Sequence, residues 1–112
     1  MNLNQATKHG IRALLVLAHR GRPLTGHQLH HELQIGHAVL QNVMNKLAHA
    51  GIVESKRGTG GGFCLAKPAA RISLYDIVTA LQPFRAEKPP WYKILAVVMK
   101  ALDGISLEEV GK

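Results

Sequence analysis

The sequence predicts a mainly α-helical fold with one small β-hairpin, and three observations carry that expectation. Apolar residues recur at helical spacing through the first half of the chain. A glycine-rich run, Gly58-Thr59-Gly60-Gly61-Gly62, separates two short strand-like stretches. A second helical stripe fills the end of the chain. Only five aromatic residues are present among 112, so Leu, Ile, Val and Ala must supply the packing, an inventory that suits helix on helix. That length fits one domain with a modest core and is too short for a catalytic domain plus a sensor domain.

Ile11, Leu14, Leu15 and Ala18 fall at i, i+3, i+4 and i+7, which predicts an amphipathic first helix over residues 4–19, ended by the Gly21-Arg22-Pro23 breaker. Thr25 is a good N-cap for a short second helix running to Leu33, with Leu29 and Leu33 inward, and Gln34-Ile35-Gly36 makes a tight turn. A third helix follows from His37 to Ala50 and is closed by Gly51. Its buried stripe is Leu40, Val43, Met44 and Leu47, and Ala38, Gln41, Asn42, Asn45, Lys46 and His49 fall on the opposite side. A short helix, a tight turn and a longer helix with a hydrogen-bonding outer face form a helix-turn-helix pattern. Strand-like runs at Ile52–Arg57 and Phe63–Ala66 flank the glycine run and add a hairpin with a basic shoulder, which makes the pattern a winged one. Pro68 ends the wing. Ser73-Leu74-Tyr75-Asp76 resembles a capping box that opens a fourth helix, with Leu74, Ile77, Val78 and Leu81 inward.

The rear of the chain is different. Gln82 to Pro90 holds three of the five prolines and reads as a linker, and Pro89-Pro90 leads into a last long helix. The apolar positions of that helix are Trp91, Ile94, Leu95, Val98, Ala101, Leu102 and Ile105. The expected division is a winged-helix domain over residues 1–82 and a linker with a C-terminal dimerisation helix over residues 83–112. A stripe of that length needs a partner surface: a second copy of the chain, giving a twofold homodimer, or the first helix of the same chain. Trp91 is then a dimer anchor or the wall of an effector pocket.

Charge divides the chain in the same way. Residues 1–71 hold nine Lys and Arg against Glu32 and Glu54, whereas the remainder holds five basic and five acidic residues. The front half therefore faces a polyanion. No apolar run approaches the ~18 residues of a membrane span, and Met1 to Gln5 lack the blocks of a secretory signal, so a cytoplasmic location without membrane partners is expected. The single cysteine, Cys64, forms no internal disulfide and alone holds neither zinc nor an iron-sulfur cluster. Seven scattered carboxylates, no nucleophile-base-acid set and no phosphate loop with its lysine argue against an enzyme.

The candidate site residues follow from these elements. Gln41 and Asn42, early on the third helix, carry the paired donor and acceptor that match adenine in the major groove of double-stranded DNA; the bland alternative is that they solvate an exposed face and leave specificity to His37, Ala38 and DNA shape. Lys56 and Arg57, with the tip Gly58, Thr59 and Gly60, can lie along a groove because glycine lets the backbone approach. Thr25, Asn45, Lys46 and His49 complete the set, with Thr25, Lys46 and His49 expected on phosphates. His27, His30 and His31 have a spacing that could hold a divalent metal, but solvated histidines are the simpler reading and no metal or cofactor is expected. Cys64 is read as an inert small residue.

Several strings resemble one family closely: Gly10-Ile11-Arg12-Ala13-Leu14, Leu40 to Leu47 with Ala50-Gly51-Ile52-Val53, and Arg57-Gly58-Thr59-Gly60-Gly61-Gly62-Phe63 with Leu65-Ala66-Lys67-Pro68. Ile72 to Val78 and Leu102 to Leu107 add to the likeness, which covers nearly the whole chain and resembles the Rrf2 family of bacterial winged-helix regulators. The resemblance implies a homodimeric transcription regulator, expected to be a repressor, on a pseudo-palindromic operator and answering to an unidentified effector. Cluster-binding members carry three cysteines before the dimerisation helix, and Gln82 to Trp91 contains none, so the likeness is to the cluster-free branch. The competing reading is a winged-helix module that binds a protein partner and no specific DNA.

Overall fold

The chain begins with a helix whose start and end are both set by local chemistry. In a computed structural model that describes residues 4–82 and 104–110, α1 spans Gln5–Arg20. Asn4 caps it by accepting from the Thr7 backbone N–H at 2.8 Å, and Gly21 stops it in the left-handed conformation, with φ 64°. The helix α2 (Gly26–Leu33) opens on a full capping box: the Thr25 hydroxyl accepts from Gln28 N–H, and the Gln28 side chain accepts from Thr25 N–H. Gln34 closes it with φ 58°, the single non-glycine residue at positive φ among those described. After that sharp turn α3 runs from His37 to His49.

Two strands make the wing. β1 (Val53–Lys56) and β2 (Gly62–Leu65) pair antiparallel, with Val53 opposite Leu65 and Lys56 opposite Gly62. The hairpin is also tied to the chain before α2: Leu24 and Phe63 exchange two backbone hydrogen bonds, at 2.9 and 2.7 Å. A 3-10 turn (Ala69–Arg71) leads to α4 (Leu74–Leu81), which Ser73 and Asp76 cap reciprocally. The described tail returns to this body. Ser106 bridges Ser73, Leu107 N–H donates to the Ile72 carbonyl at 2.6 Å, and a short α5 (Leu107–Val110) follows.

The core lies where α1 meets α3 and α4, with α2 closing against α3. Leu14, Leu24, Leu29, Leu40, Met44, Leu47, Ile52, Ile72, Ile77 and Leu107 are fully buried in it. Each such side chain contributes roughly 1.5–3 kcal/mol by leaving water. Backbone capping is matched by a polar tie: the buried Thr7 hydroxyl donates to Gln82 Oε1 at 3.1 Å and Asn4 N–H donates to the same oxygen at 2.9 Å, joining the start of α1 to the end of α4.

Within residues 4–82 the four expected helices and the two wing strands appear within a residue or two of their expected bounds, the linker and most of the expected last helix lie outside the described residues, and three expectations need correction. The buried stripe of α1 is Thr7, Gly10, Ala13, Leu14 and Leu17; Ile11, Leu15 and Ala18 are only half-buried. The cause is close packing: a Cβ on Gly10 would lie 2.2 Å from Leu81 Cδ1, so the small residues face the neighbouring helix and the bulky ones flank the contact. Leu74 is likewise half-buried, not fully inward. Ile105 does not belong to a helical stripe: it follows a turn at Gly104, is exposed, and its carbonyl accepts from Leu74 N–H at 2.8 Å. The other proposed dimerisation positions, Trp91, Ile94, Leu95, Val98, Ala101 and Leu102, lie outside the described residues.

Candidate nucleic-acid interface

The 3.6-residue period of α3 separates its two faces cleanly. Leu40, Val43, Met44 and Leu47 are buried, and their burial against α1, α2 and α4 fixes the helix in rotation. His37, Ala38, Gln41, Asn42, Asn45, Lys46 and His49 are all exposed. Gln41 Nε2 donates to Asn45 Oδ1 at 2.9 Å, one turn apart, which orients both amides along the outer face. The Gln41 carbonyl oxygen and the Asn45 amino group are left as outward acceptor and donor. No acidic side chain occurs anywhere on α3.

Beside this face, the start of α2 and the wing enclose a groove of about 510 Å³ lined by Arg22, Thr25, Gln28, Lys56 and the wing glycines. The Thr25 hydroxyl accepts the cap bond on one of its two lone pairs, and its proton remains to donate. At the wing, Lys56 lies 3.6 Å from Glu54 with both side chains more than half exposed, a pairing that contributes little. Arg57 and the tip Gly58, Thr59 and Gly60 are exposed. A turn closed by Gly61 N–H donating to Gly58 O at 2.9 Å shapes the tip. Gly62 carries the hairpin past Leu24: its φ is 137°, and a Cβ there would sit 2.4 Å from the Leu24 carbonyl.

The electrostatics reinforce the arrangement. Among the described residues, Arg20 pairs with Glu32 and Lys67 with Asp76, none of which lines the groove, whereas Arg22, Lys46 and Arg57 form no ion pair. The structure thus gathers Thr25, Lys56, Gly58 and Gly60 about one groove beside the outer face of α3, with Arg57 and Thr59 exposed on the same wing but not among the groove's lining. Three residues at this surface are not singled out by the sequence patterns. Arg22 reads there as part of a helix breaker and one of nine front-half cations, and Gln28 lies unmarked within the second helix, although the Thr25-x-x-Gln28 spacing signals a capping box. Val39 is apolar yet half-exposed, and its position off the buried stripe is the signal that could have found it.

The histidine spacing on α2 resolves differently from a chelate. His30 Nδ1 lies 2.6 Å from the Ile35 carbonyl and its ring packs on His37 at 5.4 Å, while His31 is exposed. Among the described residues no group of three His, Cys, Asp or Glu side chains could hold a metal ion. Cys64, half-buried opposite Glu54 on the wing, borders a second cleft with Arg22, Lys56 and Lys67. Within these 112 residues it is the sole cysteine, so the donor set does not fit an iron-sulfur cluster. No described helix is long and apolar enough to cross a membrane.

Comparison with known proteins gives one consistent answer. The family model described as Rrf2, iron-dependent transcriptional regulator, matches residues 3–92. A Bacillus subtilis (strain 168) protein named as an HTH-type transcriptional regulator, YwgB, is 33% identical over 84 residues, covering 73% of this chain and 54% of its own length. One of the same kind from Neisseria meningitidis serogroup A, NMA1593, is 51% identical over 43 residues, covering 38% of this chain and 29% of its own. The chain thus spans about half the length, or less, of these curated relatives. CymR (YrzC), the global cysteine regulator of B. subtilis, superposes with a TM-score of 0.81 at 22% identity over 99% of this chain and 96% of that one. T. potens IscR gives 0.81 at 25% identity over 98% and 85%.

Proposed function

The chain belongs to the Rrf2 family of transcriptional regulators, and from that premise we propose that it binds double-stranded DNA sequence-specifically as a homodimer and represses transcription from a pseudo-palindromic operator. One observation supports this above the others: the amide face of α3, the cation-lined groove and the glycine-tipped wing adjoin one another, with the wing hydrogen-bonded to the residue before the cap of α2.

In this reading α3 enters the major groove with its first two turns. Gln41, Asn42 and Asn45 meet base edges, and His37 and Ala38 contact the floor where the helix enters. Thr25, Lys46 and His49 bind phosphates and set the register. Lys56 and Arg57, with Gly58, Thr59 and Gly60, follow the adjacent minor groove, where a guanidinium suits the negative potential of a narrow groove. Residues 1–82 form the DNA-binding unit, and residues 83–112 supply the linker and the contact between protomers. A twofold dimer then sets two α3 helices about 34 Å apart, one turn of the duplex. Repression follows from occupancy of the operator, and an effector would act by changing the spacing of the two helices.

The test is selection of bound duplexes by the full chain from a random-core library, followed by a salt titration on the recovered motif. The expected result is a motif with twofold symmetry and affinity that falls steeply and linearly with the logarithm of salt concentration. Failure to enrich any duplex would overturn the proposal and favour a protein-binding winged-helix module.

A further inference from the structure

We propose that Val39 reads the 5-methyl group of a thymine in the major groove, adding an apolar point of sequence readout to the amide face of α3; the inference rests on the reading of α3 as the recognition helix. Val39 is 50% exposed, the most open large apolar side chain among the described residues, while every other large apolar residue of α3 is at most 1% exposed. Helix formation gives no reason for this placement. A β-branched residue in a first turn loses side-chain freedom and gains nothing from solvent.

The surroundings of Val39 define what would cover it. Ala38 beside it is exposed, and Asn42 and Lys46 follow at three and seven residues, on the same side of the helix. The apolar point is therefore small, and it is bordered by an amide and an ammonium with no carboxylate on the helix. A protein partner needs about 800 Å² of surface from each side, commonly with an apolar centre, and an isolated valine among polar residues does not offer that. The occupant that fits is an apolar group carried on a polyanion. In the major groove only thymine presents one, its 5-methyl. The stiffness of valine in a helix helps, since one preferred rotamer holds both its methyl groups in place.

The experiment starts from the motif selected by the full chain and replaces each thymine in turn by deoxyuridine, which removes the methyl and leaves every hydrogen-bonding group. At one thymine of each half-site the affinity is expected to fall about fourfold, the worth of one buried methyl group. Val39→Ala is expected to bind the parent duplex more weakly by a similar factor and to lose discrimination between thymine and deoxyuridine at that position. Because Val39 is exposed, the variant should keep the parent circular dichroism and unfolding midpoint, which separates loss of contact from loss of fold. A motif without thymine, a motif at which every replacement is neutral, or undiminished discrimination by Val39→Ala would overturn the inference and leave the DNA reading standing. Recovery of no motif would remove both.

Discussion

On the outer face of α3 the outward groups are mostly uncharged amides, those of Gln41, Asn42 and Asn45, with Ala38 and Val39 ahead of them and the cationic Lys46 and then His49 toward the end. Around the wing and the start of α2 they are cationic: Arg22 and Lys56 line a glycine-rich groove, and Arg57 stands exposed beside Lys56 on the wing. An amide pair distinguishes one base edge from another but gains little from a phosphate, whereas an exposed guanidinium gains from any phosphate and distinguishes little. The two regions therefore divide discrimination from grip. They are joined by backbone: the hydrogen bonds between Leu24 and Phe63 fasten the wing to the residue that precedes the cap of α2.

The largest expected effect comes from breaking that joint, because it disturbs both regions together. Gly62→Ala forces a side chain onto a residue at φ 137° and against the Leu24 carbonyl at 2.4 Å, so the hairpin must shift or separate. A destabilisation of about 3 kcal/mol is expected, read as a lower midpoint of urea unfolding. Binding to selected and random duplexes should fall alike. A variant that unfolds at the parent midpoint would show that wing and helix are not coupled in this way.

Next is a change confined to discrimination. Asn42→Ala should cost about 1–3 kcal/mol of affinity on the selected duplex and almost nothing on a random one, because the lost partner is a base edge. Fluorescence anisotropy on the two duplexes measures the difference. Arg57→Ala is its converse: it should weaken both duplexes by a similar factor and reduce the slope of log affinity against log salt by about 0.9, the mark of one cation withdrawn from the duplex. If Asn42→Ala weakens both duplexes equally, or Arg57→Ala changes only the selected one, the assignment of roles to the two regions is reversed.

Much of this division was legible in the sequence, and the reasons are local. Thr25 and Ser73 announce α2 and α4 because capping is a matter of residues three apart, and the polar face of α3 follows from its period. What stayed hidden depends on distant residues. The stripe of α1 was misplaced because periodicity favours bulky residues, while the contact with Leu81 selects Gly10. The Leu24–Phe63 pairing and the return of Leu107 to the core join segments far apart in sequence, and no local pattern encodes them. Cys64 has no basic neighbour in sequence, yet folding brings Arg22, Lys56 and Lys67 to the same cleft.

The smallest expected effect concerns the carboxylate beside Lys56 on the wing. Glu54 lies 3.6 Å from Lys56, with side chains 51% and 56% exposed, so the pair is well hydrated and its loss should cost under about 0.5 kcal/mol of stability. Toward a polyanion the sign reverses. Glu54→Gln removes a negative charge beside the groove and frees Lys56 for phosphate, so binding to any duplex should tighten, by about twofold at low salt, and the gain should fade as salt rises and the Debye length shortens. The same substitution should leave the preference for the selected duplex over a random one unchanged, because Glu54 sits with the wing and not on α3. A change in that preference would mean that the wing reads sequence as well as holding the backbone, and the separation between the two regions would have to be redrawn.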